Sequence, residues 1–539
     1  MTATTANGGN DDTRMRTQQS PLASKRARES NTPTEENRKG KFGGFFTLGY
    51  KEGFTQWWAN IPAAAAEHTV LSYIPFLRKP PTHTQTGSAP PSTNTSTMSL
   101  DPSIDKEAAP VKTSSLVDPY GPRQWNSQMV QLGGKNRALN EFSVERLDEA
   151  HEQNLVMLHG YGAGLGFFYK NFEGLSRVPG WTVYALDLLG MGRSSRPPFR
   201  VHAKDRQKSI SEAEDWFVDA LEEWRIKRKI DRFTLLGHSL GGYMAVAYAL
   251  KYPGHLNKLI LASPVGIPED PYAVNAAMPD PSDSTLTNEF SQDQEATTEH
   301  SNSKIPDPAK TTGDNNNFLN ARSKAQKQDP SGDDTTPSAP RKPLPKWLTY
   351  LWDANISPFS LVRWAGPLGP RFVSGWTSRR FSHLPADEAQ ALHNYAYSLF
   401  KQRGSGEYAL AYILAPGAFA RSPLIRRIHG VGRQMIAANG SATSSIALAQ
   451  QRRENGIPVV LMYGENDWMD IAGGYAAEQK INEEKERTLH SASAEEKKKD
   501  HGSAKCLIIK KAGHHVYLDG FEEFNKVMRE EMMDVSRRR

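Results

Sequence analysis

The sequence predicts an α/β protein built on a mainly parallel sheet. Short apolar runs of strand length alternate with amphipathic stretches of helical length. One of those runs opens through a Gly-x-Ser-x-Gly turn straight into a helix-forming segment. Two later runs each break into a loop, one holding an acid and the other a histidine pair. The strand-like runs are Leu155–Leu158, Trp181–Leu186, Phe233–Leu236, Leu259–Ala262, Pro458–Tyr463 and Cys506–Ile509. Helical stretches such as Ile210–Trp224 and Gly242–Lys251 lie between several of them, and that alternation favours parallel pairing.

The rest of the chain divides by composition. A length of 539 residues would suggest three or four domains at roughly 150 residues each. The hydrophobic fraction of 37% is low, however, and points to long polar stretches diluting an ordinary core. Residues 1–41 read as a disordered tail rich in Ser, Thr, Asn, Gly and charge. Its Arg14, Arg16, Lys25, Arg26 and Arg28 resemble a targeting sequence, and the acids Asp11, Asp12, Glu29, Glu35 and Glu36 oppose that reading. Residues 42–77 form an aromatic amphipathic segment in which Phe46, Tyr50, Phe54, Trp57 or Trp58, and Ile61 recur near helical spacing. Two readings stay open for it, a helix docked on the body by its aromatic face and a membrane-interface helix. Residues 78–115, rich in Pro, Ser and Thr, read as a linker. The α/β core is expected in two parts, 120–269 and 455–535. Between them lie a low-complexity insertion at 270–343 and a helical cap at 344–430. A polar insertion at 480–504 carries charge runs and reads as a solvated helix or loop.

Composition also excludes several classes. The single cysteine, Cys506, excludes an internal disulfide framework and a Cys-rich zinc site, and suggests an intracellular protein. No apolar run reaches the roughly 18 residues of a membrane span, and no signal-peptide core is visible. The net charge of +6 is compatible with an anionic membrane. No nucleic acid-binding motif is present.

The chemistry concentrates at Gly237-His238-Ser239-Leu240-Gly241. A sharp strand-to-helix turn lifts the Ser239 hydroxyl off the sheet edge, and small residues two before and two after it let the neighbouring backbones close in. A serine hydroxyl needs a base to take its proton. Asp467, in the loop after Pro458–Tyr463, and His514, in Ala512-Gly513-His514-His515, follow Ser239 in the order such a site requires. His515 is the alternative to His514, and Glu465 and Asp470 are the alternatives to Asp467. The oxyanion donors expected are the N–H groups of Leu240 and of Tyr161, the latter in the glycine-rich loop His159–Gly164. Dinucleotide binding at that loop is excluded because Leu165 takes the place of the last glycine. The loop Asp187–Ser194 lies at the same edge, as a wall of the site or as a turn that needs its glycines. No cofactor and no metal is expected.

Together these residues resemble an α/β-hydrolase, and further motifs point to one branch. Gly160-Tyr161-Gly162 leads into Gly166–Phe172, His514 leads through Asp519 to Glu522–Asn525, and Gly366–Pro370 and Arg421–Leu424 lie between. This is similar to the lipid-acting family that holds the lipid-droplet co-lipase and the N-acyl-phospholipid lipases. It also holds the fungal mitochondrial cardiolipin phospholipase and its lysophosphatidic acid acyltransferase paralogue. The resemblance implies an α/β-hydrolase fold with an inserted cap. It implies a phospholipid or lysophospholipid substrate deacylated through Ser239, Asp467 and His514. It also implies a possible acyl-transfer motif, His514 to Asp519. The same resemblance leaves an acyltransferase and a non-catalytic lipase-recruiting protein as alternatives, with a mitochondrial, lipid-droplet or cytosolic location. Protein partners stay unassigned. Seven basic residues between 341 and 380, against the single acid Asp353, interleave with tryptophans and suit an anionic membrane surface; a plain solvated face is the other reading.

Overall fold

Among the described residues nine strands form one sheet: β1 (Val111–Thr113), β2 (Arg123–Gln131), β3 (Ala138–Arg146), β4 (Gln153–Leu158), β5 (Trp181–Leu186), β6 (Phe233–His238), β7 (Leu256–Ala262), β8 (Pro458–Gly464) and β9 (Ser503–Ile509). Their order across the sheet is β1-β2-β3-β5-β4-β6-β7-β8-β9. The six from β4 to β9 pair in parallel, and they are the six apolar runs read from the sequence. Ahead of them β1, β2 and β3 add an antiparallel edge that the sequence did not reveal. The computed structural model describes residues 47–85, 108–269, 355–415, 419–436 and 452–538. The tail at 1–41, the insertion at 270–343 and the start of the cap at 344–354 lie outside the described residues.

The central strands are apolar on both faces, which a sheet covered on both sides demands. Val156 and Leu158 face one core, while Leu155 and Met157 face the other. The same alternation carries Leu259 and Leu261 one way and Ile260 and Ala262 the other.

The described helices include, in chain order, α1 (Tyr50–Ala59), α2 (Ala63–Leu71), α3 (Tyr169–Leu175), α4 (Arg206–Lys227), α5 (Leu240–Lys251), α6 (Pro358–Trp364), α7 (Gly369–Arg380), α8 (Ala386–Phe400), α9 (Ile471–His490), α10 (Ala494–Lys499), α11 (Val516–Asp519) and α12 (Phe521–Arg537). Helices α6, α7 and α8, followed by the short helix Leu410–Ile413, belong to the described part of the cap, between β7 and β8. The polar stretch at 480–504 is the second half of α9 together with α10, whose N-terminus carries a capping box of Ser493 and Glu496.

Two expectations for the N-terminal region need correction. The linker reading of 78–115 fails at both ends. Thr82 and His83 are buried, and the imidazole of His83 bonds Asn140 at 2.7 Å. Residues Val111–Thr113 pair as β1. Polar side chains with buried partners look like linker in a bare sequence. The segment 42–77, where described, does dock on the body, but not by its aromatic face. Gly53 is buried against the cap, whereas Phe54 and Trp58 are exposed. Gly53 packs against Pro367 and Arg371, and the aromatic side of the helix is left outward.

Candidate active site

Ser239 stands at the junction of β6 and α5 with φ 52° and ψ −117°, in a region costly for a residue with a Cβ. Neighbouring backbones force that turn. A Cβ on Gly241 would lie 2.6 Å from the Leu158 carbonyl oxygen and 2.7 Å from that of His159. A Cβ on Gly237 would meet the Gly241 carbonyl oxygen at 2.2 Å. The Ser239 N–H donates to the Ala262 carbonyl at 3.0 Å, which pins the turn to the end of β7.

Asp467 and His514 come from the loops after β8 and β9, neighbouring parallel strands in register at Gly464 and Ile509. A Cβ on Gly464 would lie 2.3 Å from the Gly513 carbonyl oxygen, so glycine there lets the two loops touch. The His514 Nδ1–H donates to Asp467 Oδ1 at 3.1 Å, and both side chains are buried. The same oxygen accepts the Met469 N–H at 3.0 Å. Burial pushes the Asp467 carboxyl up, but the His514 imidazole and these hydrogen bonds outweigh it and hold the acid below its ordinary range. With Nδ1 bound to the acid, Nε2 is the His514 nitrogen that can take a proton.

The histidine loop is held from further sides. His238, next to Ser239, donates from Nε2 to the His514 carbonyl at 3.0 Å, and the two rings lie 4.8 Å apart. That contact brings the histidine loop against the serine turn. Burial, then the His514 charge, keep His238 neutral, well below the usual imidazole range. The Trp468 ring lies 4.8 Å from that of His514. Asp519 accepts the Gly513 N–H at 3.0 Å through Oδ2 and Arg380 Nη2 at 2.8 Å through Oδ1. His515 accepts from Arg380 Nε at 2.7 Å and packs near Phe167. Of the two alternatives to Asp467, Glu465 accepts the Lys511 N–H and Asp470 caps α9.

The expected oxyanion donors flank the serine. Leu240 is the first residue of α5, where N–H groups have no partner inside the helix. Gly160 packs so closely that an added Cβ would lie 2.9 Å from Ser239 Cβ, which sets the Tyr161 loop beside Ser239. The cap closes over this loop. The Tyr161 ring stacks on Phe359 at 4.8 Å, and Phe359 stacks on Phe400 at 4.3 Å.

Asp187 is a brace behind the site. Its buried carboxylate accepts the N–H groups of Leu165 and Arg193, both at 2.7 Å, and Asn140 Nδ2 at 2.8 Å. Gly192 has φ 51°, and a Cβ there would strike the same carboxylate.

Sequence reasoning missed Arg380, because it counted among the basic residues of an outward face. In the structure Arg380 bridges Asp519 and His515, Arg363 pairs with Glu407 at 2.6 Å, and Arg379 is buried. The cationic surface of the cap is therefore smaller than the sequence count implied. Among the described residues no cluster of His, Cys, Asp or Glu could hold a metal ion, and no helix is long and apolar enough to cross a membrane. A concavity lined by Glu145, Arg228 and Asn257 lies where the strands begin, and none of the expected site residues lines it.

A family model described as alpha/beta hydrolase fold matches residues 153–521. A 1-acylglycerol-3-phosphate O-acyltransferase of Arabidopsis thaliana is 32% identical over 64% of this chain, and the match spans 62% of that protein, less than two thirds of its length. The 1-acylglycerol-3-phosphate O-acyltransferase ABHD5 of Rattus norvegicus is 29% identical over 73% of this chain and 82% of its own. A (lyso)-N-acylphosphatidylethanolamine lipase of Homo sapiens is 26% identical over 72% of this chain and 83% of its own.

Proposed function

The chain belongs to the alpha/beta hydrolase fold family, and from that membership we propose that it is a serine hydrolase that deacylates glycerophospholipids at an anionic membrane surface. In this reading Asp467 orients His514 and stabilises its cationic form. His514 takes the proton of Ser239, whose oxygen attacks the acyl carbonyl. The N–H groups of Leu240 and Tyr161 hold the oxyanion, and the lysolipid leaves with the proton from His514. Water then attacks the acyl-enzyme, releasing the fatty acid and restoring Ser239. The observation that carries the reading is the left-handed Ser239 turn joined through His238 to a histidine bound to a buried carboxylate.

A second reading shares the acyl-enzyme, with a lysophospholipid hydroxyl in place of water. Relatives named as acylglycerol-phosphate acyltransferases favour it. Cardiolipin is the head group to examine first, and a mitochondrial location goes with it; lipid analysis of a deletion strain tests both. For the chemistry, S239A should lower fatty acid release by a factor on the order of a million. Near-normal release would remove the mechanism. Adding lysophosphatidic acid and acyl-CoA to the wild type, then comparing free acid with diacyl product, separates hydrolysis from transfer.

A further inference from the structure

A second serine near the candidate site is held in a costly backbone conformation. Ser263 follows the last residue of β7 with φ 47°, a region that glycine enters freely and a residue with a Cβ does not. Its side chain is fully buried. Main-chain bonds on both sides over-determine the turn. The Ser263 N–H donates to the Met462 carbonyl of β8 at 2.7 Å. Its neighbour Ala262 accepts the Ser239 N–H at 3.0 Å, and the Val265 N–H donates to the Ser239 carbonyl at 3.3 Å. Ser263 therefore stands between the turn that carries Ser239 and the strand that leads to Asp467.

The same place leaves two buried polar atoms over. Asp467 Oδ1 accepts from His514 and from the Met469 N–H. Asp467 Oδ2 is buried without a well-aligned partner among the described residues, and so is the Ser263 hydroxyl. One is an acceptor and the other a donor, and either would be costly to bury unmatched. The Ser263 hydroxyl is also, after His514, among the groups whose hydrogen bonding holds the Asp467 carboxyl below its ordinary range.

We propose that Ser263 is a positioning residue for the candidate triad, its hydroxyl donating to Asp467 Oδ2 so that Oδ1 stays aimed at His514 Nδ1. A carboxylate bound through one oxygen can turn about its Cβ–Cγ bond, and a donor on the other oxygen stops that rotation. The bond also tunes the pair. A donor takes up part of the carboxylate charge, so Asp467 and His514 together hold an added proton less tightly. No proton passes to or from Ser263. A glycine would relax this turn, but it would lack the hydroxyl. The proposal deepens the serine hydrolase reading above and rests on it for its purpose, though the bond itself can be measured without a substrate.

The test compares S263G and S263A with the wild type. Glycine relaxes the backbone and alanine keeps the Cβ, while both remove the donor. At pH 7 the kcat for a soluble short-chain ester should fall about tenfold in each, with KM within about twofold. The acid limb of kcat/KM should move up by about 0.5 to 1 in pH, because the pair now holds its proton more tightly. Histidine labelled with carbon-13 at Cε1 reads the imidazole directly, and the His514 signal is the one missing from H514Q. Its titration should move up by the same amount. The other titratable groups facing the pair are His238 on the serine turn, His515 on the histidine loop with Arg380 of the cap against it, and Tyr463 of β8. Both substitutions leave these groups in place. The melting temperature of S263G should stay within a few degrees of wild type, since relief of the turn offsets the lost bond. An unmoved His514 titration in S263G overturns the proposal, even if the rate falls, because Ser263 would then only shape the turn. Should S263A fail to fold, S263G decides alone. If the titration moves but the wild type cleaves no ester, the Ser263 bond stands and the hydrolase reading falls.

Discussion

Asp519 entered through a family resemblance, as part of an acyl-transfer motif with His514 in which the carboxylate takes part in chemistry. In the structure the carboxylate faces the backbone of Gly513 and the guanidinium of Arg380. It fixes the peptide just before His514 and ties it to the cap, contacts that suit a positioning role. D519N keeps the shape but removes the charge that holds Arg380. Hydrolysis and acyl transfer should both fall by roughly 10- to 100-fold, since a small displacement of the base is enough. Their ratio should not change. Loss of transfer alone would return Asp519 to the chemistry. The shared location of Ser239, Asp467 and His514 was legible because each follows an apolar strand at the same sheet edge, where loop residues can face a ligand. Arg380 was not legible. An arginine in an aromatic, basic stretch looks like surface, and only the fold reveals the acid opposite it.

At the scale of elements, the parallel strands could be read because burial on both faces makes them continuous apolar runs. The hairpin β2–β3 could not. Strand β3 is buried while carrying Asn140, Glu141 and Ser143, whose polarity is satisfied by distant partners. Glu141, for example, accepts Trp224 Nε1 at 2.7 Å and both a Nε and a Nη2 hydrogen of Arg228. Helix α2 is held by the same device. Its Glu67 is fully buried, pairs with Arg193, and accepts Asn140 Nδ2 and the Tyr395 hydroxyl, both at 3.1 Å. Burial raises the Glu67 carboxyl and Arg193 opposes it. E67L leaves a buried guanidinium without its partner, a loss on the order of 3–5 kcal/mol. Denaturant unfolding of E67L should show a lower midpoint, and limited proteolysis should cut 47–85 earlier than in the wild type. An unchanged midpoint would mean that α2 is held by its apolar contacts alone.

Across the whole molecule, the joints that hold α1, the Tyr161 loop and the 187–195 loop in place each contain a buried neutral histidine. Burial lowers His159 and His393 to about 4, and burial with the Arg193 charge lowers His83 to about 3. His159 shows why charging is costly. Its Nε2 accepts the Leu188 N–H at 3.0 Å, so the proton sits on Nδ1, facing the Gly160 carbonyl. A second proton would break the Leu188 bond next to the Tyr161 loop. His393 lies between Thr377 and Gln56, under α1. Each folded-state value lies below the ordinary 6.5, so the unfolded chain gains protons first as the pH falls. The stability these groups support is intact above about 6.5 and is lost progressively as pH falls toward 4, by something on the order of 3 kcal/mol for each histidine. Thermal melting should therefore drop steeply between pH 7 and pH 4. H393Q removes one of these proton acceptors and should flatten that drop. A melting temperature that stays level down to pH 4 would show that these imidazoles are charged or exposed in the folded protein, and with them the account of how α1 is seated would have to change.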